Sequence, residues 1–303
     1  VTRTELVDET IDWFAANARP LPWRAPGTSP WAVLVSEFML QQTQAARVIP
    51  RWEAFVERWP SPADLARAGD ADVLRAWDRL GYPRRALWLR RCAVEIVEHH
   101  DGRVPATRED LLALPGIGPY TAAAVASFAF GVPEAVVDTN VRRVLARVEE
   151  GSEEPWAPNA ARDLAAYRAL VPAPPPDDAT AVRRANRWNA AAMELGAIVC
   201  TARTPACERC PVAERCAWRR AGYPAGPTAG VPRRKQARYE GSDREMRGRI
   251  LHELRATTTA VPLDALHDAV VRGGHDERFA RALASLEADA LVVVDDGAAS
   301  LPS

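Results

Sequence analysis

Long apolar runs, lysine and strand-like alternation are all scarce in this 303-residue chain. The longest nearly unbroken apolar stretch, Thr121 to Val132, is too short to cross a bilayer, so no membrane partner is expected. The N-terminus carries Glu5, Asp8, Glu9 and Asp12 where a secretory leader needs a cationic start and an apolar stretch, and a cytoplasmic location is expected. Lysine occurs once, at Lys235, among 39 basic residues. A chain this biased to arginine and alanine offers no evidence of phosphate binding from arginine abundance alone. Strand signals are few, which leaves a mainly α fold. With 48% hydrophobic and 26% charged positions, the chain is globular, of one large or two ordinary domains.

Charge is present but unevenly placed. Between Arg183 and Arg249 stand 15 basic and 6 acidic residues, against 24 and 34 elsewhere, so a basic segment sits on an acidic body. It reads either as a polyanion-binding surface or as a solvated basic face. Four of the five cysteines, Cys200, Cys207, Cys210 and Cys216, follow a C-x6-C-x2-C-x5-C spacing in the same segment. Without an export signal this points to a metal site and not to a disulfide framework. Zinc sites usually take ligands as two short pairs, whereas only Cys207 and Cys210 form one here. An all-thiolate set in one short loop suits an iron–sulfur cluster, with zinc as the alternative. Cys92 stands apart on a helical stretch and is expected to be a small buried residue.

Helical periodicity dominates from Thr2 to about Gly151, beginning with Leu6, Thr10, Ile11 and Phe14 on one face. Ser29-Pro30 is a cap-and-start signal for a helix from Trp31 to Gln44 that is apolar nearly all round up to Leu40. Further helices are expected near 51–59, 62–68, 71–80, 84–99, 109–114, 119–130, 141–148, 160–170 and 183–199. After the cysteine loop the composition turns to Gly, Pro and Arg, read as a linker over 218–242. The last residues give helices near 244–255, 263–270 and 277–289, then a hairpin from Leu291, a small winged-helix-like module. Its third helix carries Arg278 and Arg281 beside Glu277, Glu287 and Asp289, which leaves open whether it binds DNA or only packs.

Two carboxylates stand where chemistry is possible. Glu37 lies on the apolar helix, where burial would raise its pKa and suit it to donate a proton; the alternative is an exposed stripe. Asp138 opens a helix, where backbone N–H groups and the helix dipole would hold it ionised, either as an electrostatic partner or as a plain N-cap. Between them, Leu114-Pro-Gly116-Ile117-Gly118-Pro-Tyr120 forms a glycine turn followed by a helix N-terminus. That is either a phosphate cradle or a plain connection.

Together these pieces resemble the helix-hairpin-helix DNA glycosylases, and within them the MutY-type adenine DNA glycosylases. The matching segments are Arg19-Pro-Leu-Pro-Trp23-Arg24, Ser36-Glu-Phe-Met-Leu40-Gln-Gln42-Thr-Gln, Leu80-Gly-Tyr82, the glycine hairpin, Val137-Asp-Thr-Asn140-Val-Arg-Arg-Val, Met193-Glu194-Leu-Gly and the cysteine loop. The resemblance implies a helix-hairpin-helix glycosylase fold over 1–217, with a six-helix barrel part at about 30–136 and a cluster part from 1–29 and 137–217, and the winged-helix-like module over 243–303. It implies a [4Fe-4S] cluster on the four cysteines and double-stranded DNA with mispaired adenine as partner of a monomer. Glu37 becomes the general acid for a flipped adenine and Asp138 the stabiliser of an oxocarbenium-like sugar, with Tyr120 and Asn140 beside them. Arg19, Trp23, Arg24, Leu40, Gln42, Tyr82 and Glu194 match substrate and duplex contacts, Gln42 and Tyr82 as wedges. Gly116, Ile117 and Gly118 match the phosphate contact.

The resemblance also carries departures. Bifunctional relatives place a Schiff-base lysine where Tyr120 stands, and this hairpin has no lysine, so a monofunctional hydrolase is expected. Many members carry a Nudix-like domain that reads 8-oxoguanine, and residues 217–303 have neither its length nor its motifs. Pro83 replaces the second tyrosine common after Tyr82. The rivals are a thymine or uracil mismatch glycosylase of the same superfamily and a non-catalytic DNA-binding protein.

Overall fold

The computed structural model describes residues 3–226, 238–271 and 276–303; residues 227–237 of the expected linker lie outside the described residues. The chain is mainly helical, with a three-stranded sheet near its C-terminus. Contact density divides it into two compact units, one of Val1–Val33, Ala106–Ala113 and Ile117–Pro232, the other of Leu34–Pro105, Leu114–Gly116 and Arg233–Ser303. Among the described residues no helix is long and apolar enough to cross a membrane.

In the first unit the core forms where three amphipathic faces meet. Helix Arg3–Asn17 contributes Leu6, Val7 and Ile11, helix Thr139–Val148 contributes Val141, Val144 and Leu145, and helix Ala179–Ile198 contributes Trp188, Ala191 and Leu195. Thr10 lies on the buried face, and its hydroxyl donates back to the Leu6 carbonyl at 2.8 Å. Buried Asn189 uses its amide fully. Nδ2 donates to Ser127 Oγ and the Glu134 carbonyl, both at 2.9 Å, while Oδ1 accepts from Tyr167 Oη at 2.6 Å and Val136 N at 3.3 Å. A side chain with two donors and an acceptor oxygen thereby ties a helix to the irregular segment leading to Asp138.

In the second unit Phe55 meets Trp59 and Trp77 edge to face, with ring centroids 4.6 and 6.3 Å away. Its helix runs Ala45–Arg58 and passes through Pro50, where the sequence suggested a start at 51. A proline early in a helix forfeits one backbone bond without stopping it, because the preceding turn is already closed by Arg47 N and Val48 N on the Gln44 carbonyl. Helix Pro30–Leu40 ends four residues before the expected Gln44. The reason is Arg85, whose guanidinium takes the Phe38 and Met39 carbonyls that a further turn would have used, and the Gln41 carbonyl beyond them.

The last residues form helices Asp243–Arg255, Leu263–Val270 and Asp276–Ala288 and strands β1 (Val261–Pro262), β2 (Val293–Asp295) and β3 (Ala298–Ser300), in sheet order β1-β3-β2. This is winged-helix topology. Asp296 and Gly297, both at positive φ, close the β2–β3 hairpin, as an Asp-Gly pair does. Strand β1 is two residues long and contains a proline, so alternation could not announce it. The module packs on the helices of its own unit: Arg75 donates to the Thr257 carbonyl at 2.9 Å and Arg84 pairs with Asp289 at 3.2 Å.

Candidate functional site

Asp138 is the N-cap of helix Thr139–Val148. Oδ1 accepts from Val141 N at 2.7 Å, and Oδ2 accepts from Asn140 Nδ2 at 2.7 Å. Asn140 in turn accepts from Arg143 Nη2 at 2.8 Å, and Arg143 reaches the Gly196 carbonyl at 2.6 Å and the Cys200 carbonyl at 2.8 Å. A hydrogen-bonded chain therefore joins the carboxylate to the start of the cysteine loop. The helix terminus alone was expected to hold Asp138 low, yet its pKa is raised. Burial pushes it up, and the bonds from Val141 and Asn140 and the Arg143 charge only partly offset the push. Gly196 is part of the same construction. A Cβ there would stand 2.7 Å from Asn140 Cβ and 2.9 Å from its carbonyl oxygen, so only glycine lets the two helices approach.

Glu194 is fully buried, and both its oxygens are occupied. Oε1 accepts from Arg19 N at 3.0 Å and Arg19 Nε at 2.6 Å, and Oε2 from Arg19 Nη2 at 2.9 Å and Arg24 Nη1 at 3.0 Å. Burial raises its pKa, but Arg19 and Arg24 reverse this and hold it below the ordinary carboxylate range. The expected substrate contacts Arg19, Arg24 and Glu194 thus form one ion cluster, and it anchors the Pro22–Arg24 turn with its buried Trp23. Tyr120, half-buried at the start of helix Pro119–Phe130, packs against Ala123, Ala124 and Val136.

The exposed-stripe reading of Glu37 fails, because every residue from Trp31 to Met39 is buried and Glu37 is 5% exposed. Leu40 is half-buried at the end of its helix; Gln42 and Tyr82 project into solvent from backbone at φ +55° and +47°. The hairpin glycines differ in purpose. Gly116 has φ +78°, and a Cβ there would meet Trp88 Cβ at 2.9 Å and Phe38 Cε1 at 3.0 Å, whereas Gly118 faces open space. Gly118 is the uncapped N-cap of helix Pro119–Phe130, so backbone N–H groups are accessible there. Ile117 between them is buried.

The four cysteines line one cavity of about 380 Å³, including its mouth, with Arg147, Val199 and Trp218 among its walls. Four thiols around a space of this size fit an iron–sulfur cluster, which takes four thiolates. Buried Arg147 donates to Cys200 Sγ at 3.4 Å and to the Thr201 and Ala202 carbonyls at 2.7 and 3.1 Å, and stacks over Trp218 at 4.7 Å. It places a cation beside a site that would carry negative charge. Several arginines of the basic segment are already paired: Arg215 with Glu5 and Glu9, Arg184 with Asp8, Arg249 with Glu245. Cys92 is buried on helix Arg84–His99, where burial pushes its thiol up to about 12, as expected of a packing residue.

Arg85, Arg147 and Asn189 escaped the reading of the residues, and Arg143 and Gly196 stood in matching segments without a role of their own. Arginine is too abundant here for any one to stand out, and an asparagine on a helix face reads as solvated.

Residues 35–167 match the HhH-GPD superfamily base excision DNA repair proteins, and residues 200–216 match the iron–sulfur binding domain of endonuclease III. Among solved structures the chain is similar to a thermostable thymine-DNA glycosylase, with TM-score 0.63 and 29% identity over 72% of this chain and 97% of that one. The class is thus a helix-hairpin-helix base excision repair glycosylase with a [4Fe-4S] loop. The chain is 51% identical to the adenine DNA glycosylase of Mycobacterium tuberculosis (strain CDC 1551 / Oshkosh), covering 96% of this chain and 92% of that one. To the adenine DNA glycosylase of Mycolicibacterium smegmatis it is 50% identical, over 94% and 91%. Within its class, this chain belongs to the adenine DNA glycosylase family.

Proposed function

We propose that the chain hydrolyses the N-glycosidic bond of adenine mispaired with 8-oxoguanine or guanine in double-stranded DNA, acting as a monofunctional monomer on the nucleoid. Residues 1–217 are assigned the glycosylase core and 243–303 the winged-helix-like module. The observation that carries the reading is the burial of Glu37, 5% exposed within an apolar helix, the environment that suits a carboxyl group to donate a proton near neutral pH. Glu37 protonates the extruded adenine at N7 and then assists the attack of water at the sugar. Asp138, fixed by Val141 N and Asn140, stabilises the positive charge that develops on the sugar as the bond breaks. Tyr120 and Asn140 border the reacting sugar; Arg19, Trp23, Arg24, Leu40 and Glu194 contact the substrate, and Gln42 and Tyr82 wedge into the duplex. Gly116, Ile117 and Gly118 present backbone to a phosphate. The cluster, when bound, cross-links the cysteine loop, and no step of the hydrolysis runs through it.

The test is single-turnover base release from duplexes carrying adenine opposite 8-oxoguanine, guanine or thymine, with thymine and uracil opposite guanine as controls. Adenine release from the first two alone is expected, with no borohydride-stable adduct between protein and DNA. Release of thymine or uracil instead would overturn the substrate, and a trapped adduct would overturn the monofunctional mechanism.

A further inference from the structure

Arg85 lies on the inner face of helix Arg84–His99 and is 4% exposed. Its guanidinium joins two segments far apart in sequence. Nη1 donates to the carbonyls of Phe38 at 2.8 Å, Met39 at 3.4 Å and Gln41, and Nη2 to Thr43 Oγ1 at 3.1 Å and the Gly81 carbonyl at 3.2 Å. Its cation also lies 5.4 Å from the Tyr82 ring and 5.5 Å from the Trp77 ring. Thr43 strengthens the link, since its one hydroxyl hydrogen is shared between the Gln41 carbonyl at 3.2 Å and the Leu80 carbonyl at 3.3 Å.

The two segments so joined carry Gln42 and Tyr82, both non-glycine residues in left-handed backbone. Such conformations persist only where the surroundings over-determine them. A planar fork that takes the Gln41 carbonyl before Gln42, the Thr43 hydroxyl after it and the Gly81 carbonyl just before Tyr82 supplies that determination, in a way an ammonium cannot. Within this unit the carbonyls and the hydroxyl take up both terminal nitrogens, while the buried Nε has no hydrogen-bond partner and burial lowers the guanidinium pKa to about 10.

We infer that Arg85 is a positioning residue for base extrusion: it holds the Gln42 and Tyr82 loops in mutual register, so that both side chains enter the duplex already ordered. This rests on the reading of Gln42 and Tyr82 as wedges. Arg85 itself touches no DNA. Loosening it therefore slows extrusion while leaving the phosphate contacts, and with them ground-state affinity, in place.

The experiment compares Arg85→Met, Thr43→Val and the double variant Gln42→Ala/Tyr82→Ala in the full, cluster-loaded chain. Extrusion is read from the fluorescence of 2-aminopurine beside the target adenine, and affinity from anisotropy on the same duplex. Arg85→Met should slow extrusion and base release by about a hundredfold, the scale of an ångström-size misplacement. Affinity should change by less than about threefold, since phosphate contacts dominate it. Added to the double variant, Arg85→Met should slow extrusion no further. A hundredfold slowing in that background as well would overturn the inference, because Arg85 would then act without the wedges. Native extrusion in the double variant alone would overturn the wedge reading first, a distinct result. Should Arg85→Met not fold, judged by circular dichroism, Thr43→Val carries the test, with extrusion slowed about fivefold for one lost hydrogen bond. Native extrusion in folded Thr43→Val would also overturn the inference.

Discussion

Asp138 combines two demands that oppose each other. In its proposed role it must be ionised to stabilise a cationic sugar, yet burial has raised its pKa above the ordinary value of 3.8. A raised carboxyl loses its charge as pH falls through a point higher than usual, so the acid limb of the base-release profile should lie above the range of a free aspartate. Arg143→Met removes a charge that lowers Asp138, and should move that limb further up. The linkage has a second consequence. A carboxyl whose folded pKa exceeds its unfolded one binds more protons when native, so it costs stability at neutral pH and the cost fades as pH falls. Asp138→Asn is thus expected to cut base release by about a hundredfold or more while raising the melting temperature at neutral pH. Unchanged base release at pH 7 in this variant would sink the assignment. The sequence showed Asp138 as an N-cap, but the Arg143 and Asn140 chain behind it follows from the packing of two helices, and no local pattern encodes that.

At the scale of elements, the two hairpin glycines give opposite expectations. Gly116→Ala forces a Cβ against Trp88 and Phe38 at positive φ, and should destabilise the fold by about 2 kcal/mol or more, seen as a lower melting temperature. Gly118→Ala meets nothing and has an ordinary φ, so the fold should hold while DNA binding weakens through obstructed backbone. Equal melting temperatures for the two would contradict this division. The helices were legible because apolar residues recur at helical spacing, as in Arg84–His99 and Pro119–Phe130. Ends set by distant partners were not legible. Helix Pro30–Leu40 stops because of an arginine more than forty residues away. The cysteine spacing left zinc open, and the match of residues 200–216 to the iron–sulfur binding domain of endonuclease III decides for a cluster.

For the molecule as a whole, the winged-helix-like module raised a question that composition left balanced. Its third helix offers little free cation. Arg278 and Arg281 lie 3.9 and 3.4 Å from Asp243, Glu277 is almost wholly exposed, and Asp295 and Asp296 are exposed at the hairpin tip. One arginine of the module faces inward: Arg255 interacts with Asp78, and burial lowers its pKa while Asp78 opposes the shift. With Arg75 on Thr257 and Arg84 on Asp289, the module braces the helices on either side of Tyr82. The double variant Arg278→Ala/Arg281→Ala should accordingly leave the salt slope of duplex binding unchanged. Two lost phosphate contacts would instead flatten log K against log salt by about 1.8, and that result would make the module a DNA reader.

Asn189 carries a consequence for how this sequence can drift. Its amide meets two acceptors and two donors in a place closed to water. Aspartate would present oxygens to the Glu134 carbonyl, leucine would strand the Glu134 carbonyl, Val136 N and the Tyr167 hydroxyl, and glutamine would need room the neighbours do not leave. In a library selected for function, this position should be among the least permissive in the chain. Nothing in its local sequence sets it apart from the alanines and arginines around it.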